Sequence, residues 1–157
     1  MTVSIENWLL NAQGRCVERA EGEFYVGSQS AAGEPPISIW VQFKGMTRVR
    51  LFSQPDGWGI GLDDADPIGI DMGPSGRTII RDMTKAGPFS KCEGTILERA
   101  AFFTSEGSPR PVGVSLNFAS GEIVVILNWG DELVVDSRLP RDAAPGDLVA
   151  CSVGSSG

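Results

Sequence analysis

Apolar and polar residues alternate with a period of two in two separate stretches, Ile37-Ser38-Ile39-Trp40-Val41-Gln42-Phe43 and Val112-Gly113-Val114-Ser115-Leu116-Asn117-Phe118. This period sends successive side chains to opposite faces of a strand, one toward a core and one toward solvent. Each stretch closes on a Phe and a glycine-containing turn, Lys44-Gly45-Met46 or Ala119-Ser120-Gly121. A second β-rich run follows, Arg48-Val49-Arg50-Leu51-Phe52 or Ile123-Val124-Val125-Ile126-Leu127. A turn carrying a Trp-Gly pair comes next, Asp56-Gly57-Trp58-Gly59 or Trp129-Gly130-Asp131, and a third short strand, Ile60-Gly61-Leu62 or Leu133-Val134-Val135, completes each unit. Both units are preceded by similar segments, Cys16-Val17-Glu18-Arg19-Ala20 running to Phe24-Tyr25 and Ile96-Leu97-Glu98-Arg99-Ala100 running to Phe102-Phe103.

The spacing predicts an internal repeat. Glu18 and Glu98 are 80 positions apart, Phe43 and Phe118 are 75 apart, and Leu51 and Leu127 are 76 apart. Each half then reads as a lead-in strand plus a three-strand meander, too small a sheet to bury its apolar face alone. The expected fold is mainly β, with α+β as the variant. Two repeated antiparallel meanders pack around one core with pseudo-two-fold symmetry and few short helices. The 157 residues form a single domain in this reading, with half 1 at 15–64, a linker at 65–91, half 2 at 95–137 and a flexible tail at 140–157. Residues Ile5 to Ala12 read either as a short helix capped by Ser4 or as an edge strand. Within the linker, Pro67, Pro74 and Pro88 predict mostly loop, with a short strand at Thr78-Ile79-Ile80. Trp40, in mid-strand, is assigned to the core.

Composition narrows the chemistry. The chain has no histidine, which removes imidazole from every catalytic and metal-binding role. Cys16, Cys92 and Cys151 are odd in number and widely spaced, so they read as reduced thiols rather than as disulfides or metal ligands. Thirteen basic and 20 acidic side chains leave a net charge of -7, a surface that repels phosphate backbones, so no nucleic-acid partner is expected. No apolar run reaches membrane-spanning length and no secretory leader is evident, which predicts a cytoplasmic protein without a membrane partner. Asp64-Ala65-Asp66 fails as a calcium loop, because Ser75 stands at the twelfth position and Pro67 interrupts it. Gly57-Trp58-Gly59-Ile60-Gly61 lacks the spacing and helix of a dinucleotide site. Glu18 and Glu98, each followed by Arg, read as strand-surface charge pairs rather than as an acid/base pair. No enzymatic activity, cofactor or metal is expected.

The charges are not evenly spread. No Lys or Arg lies between Arg50 and Arg77, an interval holding Asp56, Asp63, Asp64, Asp66 and Asp71, and none lies between Arg110 and Arg138, where Glu122, Asp131, Glu132 and Asp136 stand. Each half therefore concentrates its acid around the Trp-Gly turn and final strand. Such a field steers a basic partner, or alternatively only keeps the surface soluble. Trp58 and Trp129, in comparable turns, fit either binding hot spots or plugs at the ends of their sheets. The expected partner-binding residues are Asp56, Trp58, Asp63, Asp64, Asp66, Trp129, Asp131 and Glu132.

The strand and turn from Gly121 to Val135, with Asn128-Trp129-Gly130-Asp131-Glu132-Leu133, resembles the strand-turn-strand of small bacterial immunity proteins encoded beside polymorphic or contact-dependent toxins. The resemblance covers about fifteen residues. It implies a protein-binding module, an inhibitor that neutralises a cognate toxin domain, and the acidic surface favours a basic one. The first half departs from it, with Asp56-Gly57-Trp58-Gly59 in the corresponding turn. The alternative function is a small-molecule or carbohydrate-binding β-domain in which a Trp stacks on the ligand. Monomer and homodimer are both compatible with the sequence.

Overall fold

The structure, a computed structural model, describes residues 4–27, 35–85, 87–105, 110–130, 132–142 and 148–154. It opens with one helix, α1 (Ile5–Ala12), and not with the alternative edge strand. Ser4 caps it, its Oγ accepting from the Asn7 N–H at 3.1 Å. Eight residues are too few to hold a helix in water. What holds α1 is its buried stripe of Ile5, Trp8, Leu9 and Ala12.

Among the described residues ten strands follow, in two antiparallel sheets. The first contains β1 (Val17–Val26), β2 (Ser38–Phe43), β3 (Val49–Ser53), β4 (Ile60–Asp63) and β5 (Arg77–Asp82), in the order β4-β3-β2-β1-β5. The second contains β6 (Leu97–Ser105), β7 (Pro111–Phe118), β8 (Ile123–Trp129), β9 (Glu132–Asp136) and β10 (Leu148–Ser152), in the order β10-β6-β7-β8-β9. The protein is thus mainly β, and each half carries the expected lead-in strand and three-strand meander.

The pairing registers of the two sheets correspond residue for residue. Ala20 faces Val41 as Ala100 faces Leu116. Ile39 faces Leu51 as Val114 faces Ile126, and Leu51 faces Leu62 as Ile126 faces Val135. The sequence match of Leu51 with Leu127 is therefore one residue out: Ile126 is the counterpart. A slip of one position exchanges the two faces of a strand, and Leu51 and Ile126 indeed both lie in the shared core, whereas Leu127 packs on the opposite face. Both lead-in strands also break register at the same place, between Val17 and Arg19 and between Leu97 and Arg99. Glu18 and Glu98 are the extra residues of these two β-bulges. Both are exposed, as strand-surface charges should be. Where the two lead-in strands begin, Cys16 bridges Ile96 in antiparallel sense, the pairing an approximate two-fold axis between the halves would produce.

Two sequence expectations require correction. The linker at 65–91 contains β5, the fifth strand of the first sheet, longer than the three residues anticipated and paired along β1 from Glu21 to Val26. The segment 140–157, expected as a flexible tail, contains β10, which pairs along β6 from Ala101 to Ser105. These strands are counterparts: Tyr25 faces Thr78 as Ser105 faces Leu148, and the Met83 N–H donates to the Ala20 carbonyl as the Val153 N–H donates to that of Ala100. Residues 155–157 lie outside the described residues.

The inner faces of both sheets and one face of α1 meet in one core. Ile39, Val41, Phe43, Val49, Leu51 and Ile60 come from the first sheet, and Leu97, Val114, Leu116, Phe118, Val124, Ile126 and Leu133 from the second. Trp8 packs on Phe43 with ring centroids 5.8 Å apart. Trp40 is buried but outside this core. It stands on the outer face of the first sheet, where its Nε1–H donates to the Ala65 carbonyl at 2.6 Å. The connection from β4 to β5, strands at opposite edges, crosses that face and covers the ring. On the outer face of the second sheet, Phe103, Val112, Val125 and Leu127 form a smaller cluster with Trp129 and Leu148. Cys92 is fully buried, and desolvation, followed by the charge of Glu122, pushes its thiol up to about 11. Its complete burial among core residues gives it a packing role. Among the described residues no helix is long and apolar enough to cross a membrane.

Candidate functional site

The β3–β4 and β8–β9 turns lie together at one end of the sandwich. In the first, the Asp56 Oδ1 accepts from the N–H groups of Trp58 and Gly59, both at 2.9 Å, and Gly57 supplies the positive φ of 79° that reverses the chain. Asp56 therefore builds the turn. Its carboxyl is held below the usual range by the Gly59 and Trp58 N–H groups and by Arg110, which lies 3.3 Å away. Trp58 at the tip is 68% exposed. The second turn reverses at Gly130, with φ 61°, and leaves Glu132 exposed. Asp131 lies outside the described residues. Trp129 is half-buried, its Nε1–H shared between the two carboxylate oxygens of Asp142 at 3.1 and 3.2 Å.

A buried hydrogen bond joins the two turns: Asn128 Nδ2 donates to the Gly59 carbonyl at 2.9 Å. Beside it opens a cleft of about 550 Å³ whose lining includes Trp58, Trp129, Val112, Leu148, Asn128 and Ser105. Both tryptophans singled out in the sequence thus line one largely apolar cavity, within the size range of ligand pockets. They are not repeat counterparts. Ser53 faces Ile60 as Asn128 faces Leu133, so Trp129 starts its turn and Trp58 nearly finishes the other.

The remaining acidic candidates stand elsewhere. Asp63 closes β4, about 10 Å along the strand from Ile60, and Asp64 and Asp66 follow it. Arg50, the cross-strand partner of Asp63 in β3, holds that carboxylate in a two-pronged ion pair, with Nε donating to Oδ1 at 2.9 Å and Nη2 to Oδ2. Arg48 pairs with Asp66 at 3.0 Å. The interval without basic residues is thus an accident of linear order: Asp56, Asp63 and Asp66 each meet an arginine from another strand or loop. Asp64 is exposed. The expected partner-binding residues separate into a turn end, with Asp56, Trp58, Trp129 and Glu132, and an opposite end of β4, with Asp63, Asp64 and Asp66.

The Arg50 pair predicts part of the acid response. Its hydrogen bond, with smaller help from the Ala65 N–H and the Arg50 charge, holds Asp63 below its ordinary pKa. A carboxyl depressed in the folded state stabilises above its unfolded pKa of about 3.9, and this contribution disappears as pH falls through the folded value. Asp63→Asn should therefore flatten the loss of stability below about pH 4 in denaturant titrations run at successive pH values. Asp56 and Asp82 are depressed as well, so flattening should be partial. An unchanged acid limb would show that the pair makes no such contribution in solution.

Asn128, Asp142 and Arg110 escaped the sequence reading. Asn128 carried a signal, lying inside the motif of the immunity-protein resemblance. Asp142 and Arg110 are distant in sequence from the side chains they hold and carried none. In comparisons with protein-family models, curated proteins and solved structures, no match was found.

Proposed function

We propose that the protein is a non-catalytic protein-binding module whose contact surface is the cleft between the two Trp-bearing turns, as the resemblance to immunity-type toxin inhibitors implies. The observation that carries this reading is the convergence of Trp58 and Trp129, from different halves of the chain, on one apolar cleft with Trp58 largely exposed at its rim. Tryptophan is the residue type most enriched among interface hot spots, and a turn locked by Asp56 and by the Asn128–Gly59 hydrogen bond presents it with little ordering entropy left to lose. Exposed Glu132 and the net charge of -7 favour a basic partner. The pairing of Asp56, Asp63 and Asp66 with arginines assigns more of the affinity to the aromatic contact and less to charge than the sequence suggested.

The volume of the cleft favours one competing reading, a saccharide or other small ligand stacked on the indoles. Calorimetric titration against the protein encoded by the adjacent gene, and against a saccharide set, separates the two. The expected result is a protein complex weakened by Trp58→Ala by about 2 kcal/mol or more, roughly thirtyfold. Saturable binding of a saccharide without a protein complex would move the assignment to the second reading. Indifference of the complex to both Trp58→Ala and Trp129→Ala would remove the cleft from the interface.

A further inference from the structure

A second cavity lies at the other end of β4 from the aromatic cleft, between α1, the β2–β3 turn and the segment leaving β4. Its volume is about 310 Å³, and three kinds of residue line it: the acidic Asp63 and Asp64, the apolar Met46, Val49 and Leu62, and the basic Arg15. Arg15 and Gly45 also line a neighbouring depression that contains Lys44. The two hollows share Arg15 and Gly45, with Asp63 and Asp64 on the first and Lys44 on the second.

The charged groups differ in readiness. Asp63 is committed to Arg50, which leaves the exposed Asp64 as the carboxylate available to a cation. Arg15 is already oriented, with Nε donating to the Asn11 carbonyl at 2.7 Å and Nη1 to that of Lys44 at 3.0 Å. A guanidinium fixed in this way loses little freedom on meeting an anion. Trp8 also lines this hollow, 1% exposed, and its indole N–H has no hydrogen-bond partner among the described residues. Buried donors are seldom left unpaired, and each such group calls for an explanation.

The geometry points to a binding site for a small zwitterion of the amino-acid class, its ammonium on Asp64, its carboxylate toward Arg15 and Lys44, and an aliphatic side chain against Met46, Val49 and Leu62. A lone cation would leave Arg15 unused, and a lone anion would meet the charge of Asp64, which has no ion-pair partner among the described residues. An α-amino acid, whose ammonium and carboxylate share one carbon, meets both charges from one point and lays its aliphatic side chain on the apolar wall. This site shares no residue with the Trp58–Trp129 cleft, so either assignment stands or falls alone.

Calorimetric titration with leucine, leucinamide and isocaproate tests it, the last two lacking the carboxylate charge and the ammonium respectively. Leucine should bind at least tenfold more tightly than either analogue. Asp64→Asn and Lys44→Ala, both changes of exposed side chains, should each weaken leucine about tenfold, and Trp58→Ala should leave it unchanged. The proposal is overturned by absence of saturable leucine binding, by equal affinity for the three compounds, by indifference to both charge changes, or by a loss of binding in Trp58→Ala.

Discussion

Truncating Trp8 to alanine is expected to cost about 3–5 kcal/mol, the usual loss for a large aromatic removed from a core, and to read out as a lowered urea midpoint at unchanged slope. The indole is 1% exposed and stacks at a tilt on Phe43, itself fully buried. Its helix supplies no stability of its own, having two turns only. Loss of the ring removes the anchor that holds Ile5, Leu9 and Ala12 against both sheets, so the damage spreads to the whole of α1. Domains are stable by only about 5–15 kcal/mol, which makes the predicted loss a large share of the total. Trp8→Phe separates packing from polarity. It keeps most of the apolar contact and removes a buried N–H that has no partner among the described residues, so it should cost far less than the alanine change. A loss below about 1 kcal/mol for Trp8→Ala would mean that α1 does not belong to the cooperative core.

Gly113→Val is expected to destabilise by about 1–3 kcal/mol or more through overpacking, even though valine is among the best strand formers. Gly113 lies in β7, opposite Leu127 of β8. A Cβ placed there would stand 2.6 Å from the Ile126 carbonyl oxygen and 2.9 Å from the Leu127 Cα. These are backbone atoms, so no rotamer change relieves the contact and the two strands must part. The counterpart in the first half is Ser38, which faces Phe52 and is buried with its side chain accommodated. Close approach of β7 to β8, rather than the repeat, demands the glycine. Gly121→Ala is a useful contrast: its φ of 94° strains an L-residue while nothing lies within 4 Å of the added Cβ. Its penalty should come from backbone conformation alone and be the smaller of the two. A Gly113→Val protein with a denaturation midpoint like that of the parent would refute the close approach.

The meanders were legible because their central strands send every second residue into the shared core and write that fact into a period-two pattern, although the outer face of β2 is largely buried as well. β2 and β7 carry it over six and eight residues; the duplicated Glu-Arg of the lead-in strands read only as surface charge, and the pairing register alone revealed the two bulges there. β5 and β10 were missed or underestimated for the opposite reason. They are outer strands, mostly exposed or half-exposed, so no alternation is imposed on them, and glycines and prolines crowd the sequence around them. Their conformation comes from hydrogen bonding to β1 and β6, partners distant in sequence. Leu51 was matched to Leu127 because both are leucines. The register, which follows side-chain direction rather than identity, selects Ile126.

At the candidate sites the division is similar. Residue type alone identified Trp58 and Trp129 as the side chains with most contact area to offer, and the absence of histidine confined any chemistry to other groups. That the two indoles share a cleft depended on the packing of the sheets, which brings the β3–β4 and β8–β9 turns to the same end and ties them through Asn128 and Gly59. Linear order also misjudged the acidic field, because antiparallel pairing sets Arg50 opposite Asp63 across thirteen positions of chain. Periodicity, residue type and repeat spacing are local properties and can be read along a single strand of text. Charge neutralisation, the shared aromatic cleft and the hollow between Asp64 and Arg15 arise between segments far apart in the chain, and only the closing of two sheets and a helix on one core brings those segments into contact.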